Sequence, residues 1–183
     1  MNPIEQLIRG FQDLVAHVPE LVQPFVVMLA GAVPFVEGEL AAMVGVIGGI
    51  NPIVAGVAAA IGNFVSVLLV VLATSRARTA VTDRRAARVM ATAGAVGSAE
   101  EFAAEKPESK GRAKFKRWLV RFGVPGASIL GPLAIPTQFT SAILVAGGTP
   151  RAWVLLWQAV AIVIWTTVGT VSIWAALTFL VGV

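Results

Sequence analysis

Two carboxylic acids, Glu37 and Glu39, are the only charged residues between Leu21 and Ser75. Their stretch reads LVQPFVVMLAGAVPFVEGELAAMVGVIGGINPIVAGVAAAIGNFVSVLLVVLATS. A charged side chain at the centre of a bilayer costs roughly 2.5 kcal/mol or more, so acids in apolar segments face a bundle interior or a water-filled cavity. A carboxylate there can take up a proton or hold a cation. Pro34 precedes Glu37, and Gly38 separates the two acids. Proline removes a helical hydrogen bond and glycine tolerates irregular backbone. Irregular backbone at membrane depth needs cover from protein or water. These residues predict a polar site on a broken helix, with Pro34 and Gly38 forming the break. On a regular helix the acids would point about 200° apart, so one faces a shared cavity. If a broken backbone admits both, repulsion and desolvation disfavour double ionisation.

A second apolar block carries polar groups at a matching place. It runs FGVPGASILGPLAIPTQFTSAILVAGGTPRAWVLLWQAVAIVIWTTVGTVSIWAALTFLVGV. Pro132 and Pro136 break it, and Thr137, Gln138, Thr140 and Ser141 follow. Gly147-Gly148-Thr149-Pro150 echoes Gly48-Gly49-Ile50-Asn51-Pro52, an offset of 99 residues. That offset sets Gln138 opposite Glu39 and Pro136 opposite Glu37. Asn63 and Ser66 lie one turn apart on the apolar segment after Pro52. They serve as contacts between helices or as part of the site. The candidate proton- or substrate-binding residues are therefore Glu37, Glu39, Asn63, Thr137 and Gln138.

The elements that would hold these residues follow from break spacing. Leu21–Val33 and Glu39–Gly49 are each too short for the ~20 residues that cross a bilayer. Two half-length pieces around a break predict a re-entrant hairpin. Pro52–Ser75 is long enough to span, and its Ala55, Gly56, Ala58, Ala59, Ala60 and Gly62 permit close helix packing. The second block has the same outline. A hairpin plus one span crosses an odd number of times, so two such units in series must be inverted. The predicted fold is an all-α integral membrane protein with two inverted repeats, at 21–75 and 122–183. Transporters place sites where the broken helices of such repeats meet. Four complete spans, at 22–47, 53–75, 123–146 and 153–180, are the alternative.

The rest of the chain fits a membrane class. Of 183 residues, 57% are hydrophobic and 13% charged, against about 25% charged in soluble domains. Mean hydropathy is +0.83. Twelve of the fourteen Lys and Arg residues fall between Arg76 and Arg121. That bias marks 76–121 as a cytoplasmic loop, not a nucleic-acid site. Within it, Asp83 predicts the start of a short helix through Met90. Ser98–Glu101 predicts another start, and 114–121 an interfacial segment anchored by Trp118. Residues 1–19 predict an amphipathic helix in the interface, started by Asn2 and Pro3 and ended by Pro19. No signal peptide is expected. The chain lacks cysteine, and a single histidine, His17, cannot build a metal cluster.

Several of these residues also carry a resemblance. Pro34-Phe-Val-Glu37, Asn51-Pro52, Gly62-Asn63, the charged loop and Gly123-Val-Pro-Gly126 through Pro136-Thr-Gln resemble the small multidrug export family. That family is similar to the wider DedA family of membrane proteins. The resemblance spans roughly residues 20–180. It implies two re-entrant loops facing each other and proton-dependent transport or lipid flipping, polyprenyl-phosphate lipids included. The family often has arginine two residues after the acid matching Glu37; here that position is Glu39, which removes the implied internal charge pair.

Enzyme chemistry has little footing. The sequence has no Gly-rich phosphate loop, no metal-ligand spacing, no nucleophile–base pair and no Asp in an apolar block. No cofactor is expected. The function expected is proton-coupled transport of a small cationic compound or a lipid head group, by a multi-pass protein of the cell membrane. The alternative is a non-transporting membrane subunit whose basic loop and N-terminal helix scaffold a partner protein or assemble copies.

Overall fold

A computed structural model describes residues 17–95 and 123–181, which form helices and turns with no strand among them. The first described half holds α1 (Gln23–Gly31), α2 (Glu37–Ile47) and α3 (Pro52–Ala95). The second holds α4 (Val124–Leu130), a 3₁₀ turn (Gly131–Leu133), α5 (Thr137–Ala146) and α6 (Arg151–Ala176). A π turn at Leu177–Val181 extends α6. The predicted helix at 1–19 lies almost wholly outside the described residues, as do Ser98–Glu101 and the Trp118 segment.

Both apolar blocks break where prolines were expected to break them. Pro34 lies in the turn between α1 and α2. There Phe35 and Glu37 take positive φ, 71° and 52°. Such φ values are uncommon for residues with side chains and concentrate at functional sites. Pro132 occupies the 3₁₀ turn, and Pro136 is the extended residue before α5. Gly38 departs from its predicted role. It lies in the first turn of α2, and a Cβ there would come within 2.2 Å of the Thr166 hydroxyl. Its lack of a side chain serves close packing on α6, not the break.

The two Gly-Gly turns share one geometry. Gly49 takes φ +87°, with Ile50 N–H donating to Gly45 O and Gly49 N–H to Val46 O. Gly148 takes φ +95°, with Thr149 N–H donating to Leu144 O and Gly148 N–H to Val145 O. This paired bonding ends helices on a left-handed residue, a conformation glycine adopts without steric cost. Asn51 then starts α3 by accepting the Ile53 N–H at 2.9 Å on its side chain, the usual role of an N-cap.

Among the described residues, two helices are long and apolar enough to cross a membrane, at Pro52–Met90 and Arg151–Leu180. They run antiparallel. Ile173 and Leu177 pack with Ala55 at one end, while Val154 packs with Val67 and Val71 toward the other. The expected short helix at Asp83 does not exist as a separate element. No glycine or proline falls between Gly62 and Gly94, and Arg and Ala are good helix formers, so α3 continues through the basic segment.

Each broken block folds as a hairpin whose two ends lie at one end of the bundle. Val18, Gln23, Gly49 and Ile50 line one cavity, so α1 begins where α2 ends. The other end of α1 reaches inward: added Cβ atoms on Gly31 and Gly62 would meet the carbonyls of Ala59 and Met28. In the second half, Val124 and Val145 share a cluster with Val71 and Val154. Gly148 lies beside the Arg78 guanidinium. The first turn thus sits at the start of α3 and the second far along it, at the opposite end.

Polar groups share the interior with the apolar clusters, and large apolar side chains lie on the surface. The interior holds Glu37, Asn63, Ser128, Thr137, Gln138 and Gln158, while Phe25, Leu29, Ile53, Leu69, Ile143 and Val163 are exposed. Exposed apolar surface on this scale marks contact with lipid or other protein.

Candidate functional site

The hairpin tips meet in the middle of the bundle. Glu37 opens α2, Thr137 opens α5, and both are buried. Glu37 Oε1 accepts the Thr137 backbone N–H, and the Thr137 hydroxyl donates to the same oxygen at 2.8 Å. The first N–H groups of a helix have no partner within it, and the helix dipole favours negative charge there. A carboxylate from the first half therefore caps a helix of the second. A tilted ring contact, Phe35 to Phe139 at 6.2 Å between centroids, joins the same two tips.

Asn63 of α3 extends the cluster. Its Oδ1 lies 3.0 Å from Thr137 Oγ1 and accepts from Gln138 Nε2 at 3.3 Å. Gln138 Nε2 also donates to Ser66 Oγ at 3.2 Å. Gln138 Oε1 stands 3.4 Å from the Thr137 hydroxyl. That hydroxyl has one hydrogen and three acceptor oxygens around it. With Glu37 ionised, the charged oxygen is the strongest acceptor. With Glu37 protonated, the carboxylic acid can donate to Thr137, and the hydroxyl turns to Asn63. The arrangement couples one proton to hydrogen bonds on α2, α3 and α5.

Four of the five predicted site residues come together: Glu37, Asn63, Thr137 and Gln138. Glu39 does not join them. It is half-buried on the α6 side of α2, where a Cβ on Gly169 would lie 3.0 Å from the Glu39 Cβ. The regular helix beginning at Glu37 turns the second acid away. The offset alignment also misplaced the pairings. It set Gln138 opposite Glu39 and Pro136 opposite Glu37, whereas Thr137 meets Glu37 and Gln138 meets Asn63 and Ser66. The alignment matches equivalent positions, and the contacts join hairpins approaching from opposite ends.

Ser66, one turn from Asn63 and read with it as a helix contact or part of the site, joins the cluster through Gln138. Thr166 was missed altogether. Its buried hydroxyl faces Gly38 and has no hydrogen-bonding partner among the described residues. Thr166 also lines a groove of about 590 Å³ between α3 and α6, whose wall includes Gly56, Thr170 and Trp174 and no charged residue. Among the described residues no group of acids and histidine could hold a metal.

No family model matches the chain, and no curated protein or solved structure matches it.

Proposed function

We propose that this chain is a multi-pass transporter of the cell membrane, proton-coupled, moving a small cationic compound or a lipid head group between two re-entrant hairpins. One observation carries the reading: a buried acid at one hairpin tip is held by the hydroxyl and backbone of the other. Transporters commonly bind at midplane between broken helices of inverted repeats, with helix N-termini aimed at the site. The opposed Gly-Gly turns and the apolar exterior support that geometry. So does the resemblance to the small multidrug export and DedA families through Pro34–Glu37, Asn63 and Pro136–Gln138. Glu37 is the coupling acid in this scheme. Its proton is exchanged as Thr137 turns between Glu37 and Asn63, which loosens or tightens the contact between the tips. The neutral groove beside Thr166 suits the apolar part of a substrate.

The test is flux into liposomes loaded with a pH dye, with ethidium as the cationic probe. Glu37→Gln keeps the Thr137 N–H bond but cannot exchange a proton, so acid-driven flux is lost. Glu39→Gln, outside the cluster, retains most of it. Wild-type flux in Glu37→Gln refutes the coupling role.

A further inference from the structure

Gln158 lies at the centre of the bundle and is fully buried, yet neither amide atom has a hydrogen-bonding partner among the described residues. Val154 and Ile162, one turn to either side, belong to the cluster that α3, α4, α5 and α6 build together. An orphaned buried amide is destabilising, and an apolar residue of similar shape removes that cost. A glutamine here therefore points to an occupant.

A second orphan lies on α4, which packs against α6. Ser128 of α4 is also fully buried, and its hydroxyl has no partner among the described residues. Two contacts fix α4 along α6. Val124 shares the cluster of Val154, and Trp165 Nε1 donates to Ile129 O at 2.8 Å. Ser128 and Gln158 fall between those contacts. Their combined demand is for donors and acceptors alike, with no charged group to hold an ion. Water meets that demand, and buried water typically satisfies such groups with about three hydrogen bonds.

We infer that Gln158 and Ser128 hold internal water, and that this water carries the proton between the Glu37 cluster and the Arg151 end of the bundle. The water site stands on the two orphaned groups; its relay role rests on the proton-coupled reading above. On the Glu37 side the route begins at Ser141, fully buried on α5, whose hydroxyl donates to Thr137 O at 2.6 Å. On the other side Gln158 stands seven residues, ~10 Å of helix, from the exposed Arg151. The water accepts a proton from one side as it releases another to the opposite side. The amide stays neutral and serves as a positioning group.

Two readouts on the full chain in phosphatidylethanolamine–phosphatidylglycerol membranes test this. The first is nuclear magnetic resonance on protein labelled with 15N-glutamine, the Gln158 signal being assigned by its loss in Gln158→Leu. Cross-peaks between that amide and water are expected, and their absence overturns the proposal. The second compares proton flux and melting. Gln158→Leu is expected to melt at the same or a higher temperature while flux falls about tenfold, the effect of ~1.4 kcal/mol on a barrier. Ser128→Ala lowers flux in the same direction. Should Gln158→Leu fail to fold, Gln158→Met is measured in its place. Unchanged flux in these variants while Glu37→Gln abolishes it overturns the relay. Unchanged flux in Glu37→Gln as well sinks the coupling reading and the relay with it, leaving the water site to the cross-peaks alone.

Discussion

The Thr137 hydroxyl serves the Glu37 carboxylate, and hydrogen bonds to charged groups contribute about 1.5–3 kcal/mol. Thr137→Val removes that hydroxyl at almost constant volume and leaves the backbone N–H in place. Thermal melting in detergent should show a loss of that order, and Thr137→Ser should recover most of it. Melting of the valine variant at the wild-type temperature would mean that the acid is neutral in the resting state or that the backbone N–H alone holds it. Glycine gives a second contrast. A Cβ at Gly38 would lie 2.2 Å from the Thr166 hydroxyl, while one at Gly62 would lie 1.8 Å from the Met28 carbonyl. Overpacking costs roughly 1–3 kcal/mol, occasionally more. Gly38→Ala should be rescued in part by Thr166→Ala, because a side chain can be trimmed. Gly62→Ala faces backbone and should be the more damaging, with no such rescue. Equal melting of the two single variants would contradict these distances.

At the scale of elements, α3 is the feature with the widest consequence. Its 44 residues rise ~66 Å, well beyond the ~30 Å of a hydrocarbon core. The helix therefore runs on past its apolar part and carries Arg76–Arg88 beyond it. Thr79 and Thr82 donate to the carbonyls of Ser75 and Arg78, each at 3.1 Å, along this part. Single cysteines at Asn51 and Thr149, probed from outside with an impermeant reagent, should react from opposite sides, since the turns lie at opposite ends of the apolar part of α3. Reaction of both from one side would contradict the packing of Gly148 against Arg78. The breaks, turns and long helices were legible in the sequence because proline and Gly-Gly act locally. The continuity of α3 was not read, because Asp83 looked like a cap, a signal shared by many mid-helix acids. The Glu37–Thr137 pairing was beyond reach, since it depends on how far each helix pair reaches along the bundle and no residue encodes that distance alone.

At the scale of the whole molecule, large apolar side chains cover much of the described surface, while polar groups are buried beside an apolar core. Phe25, Leu29, Leu69 and Val163 face outward. The chain should stay in the membrane fraction through a high-pH carbonate wash and leave it only in detergent; release by the wash would refute membrane integration. Composition alone points to this class, and the two helices long and apolar enough to cross a membrane agree with it. It did not disclose the interior polar groups on α6. Gln158, Thr166 and Thr170 stand singly in an apolar run, and nothing in the local pattern tells an inward polar residue from an outward one.

The bond between Glu37 and Thr137 joins residues 100 apart in the chain. On a ribosome adding ~5–20 residues per second, the acid waits roughly 5–20 s for its partner. For that interval the first half carries an acid without the N–H and hydroxyl that hold it in the complete fold. A fragment ending at Ala95 keeps that unfinished condition permanently. In it, Glu37→Leu should lengthen the cellular half-life, the reverse of its effect in the full chain. Pulse-chase measurement of both lengths checks this, and a shortened half-life in the fragment would show that Glu37 finds another partner before Thr137 is made.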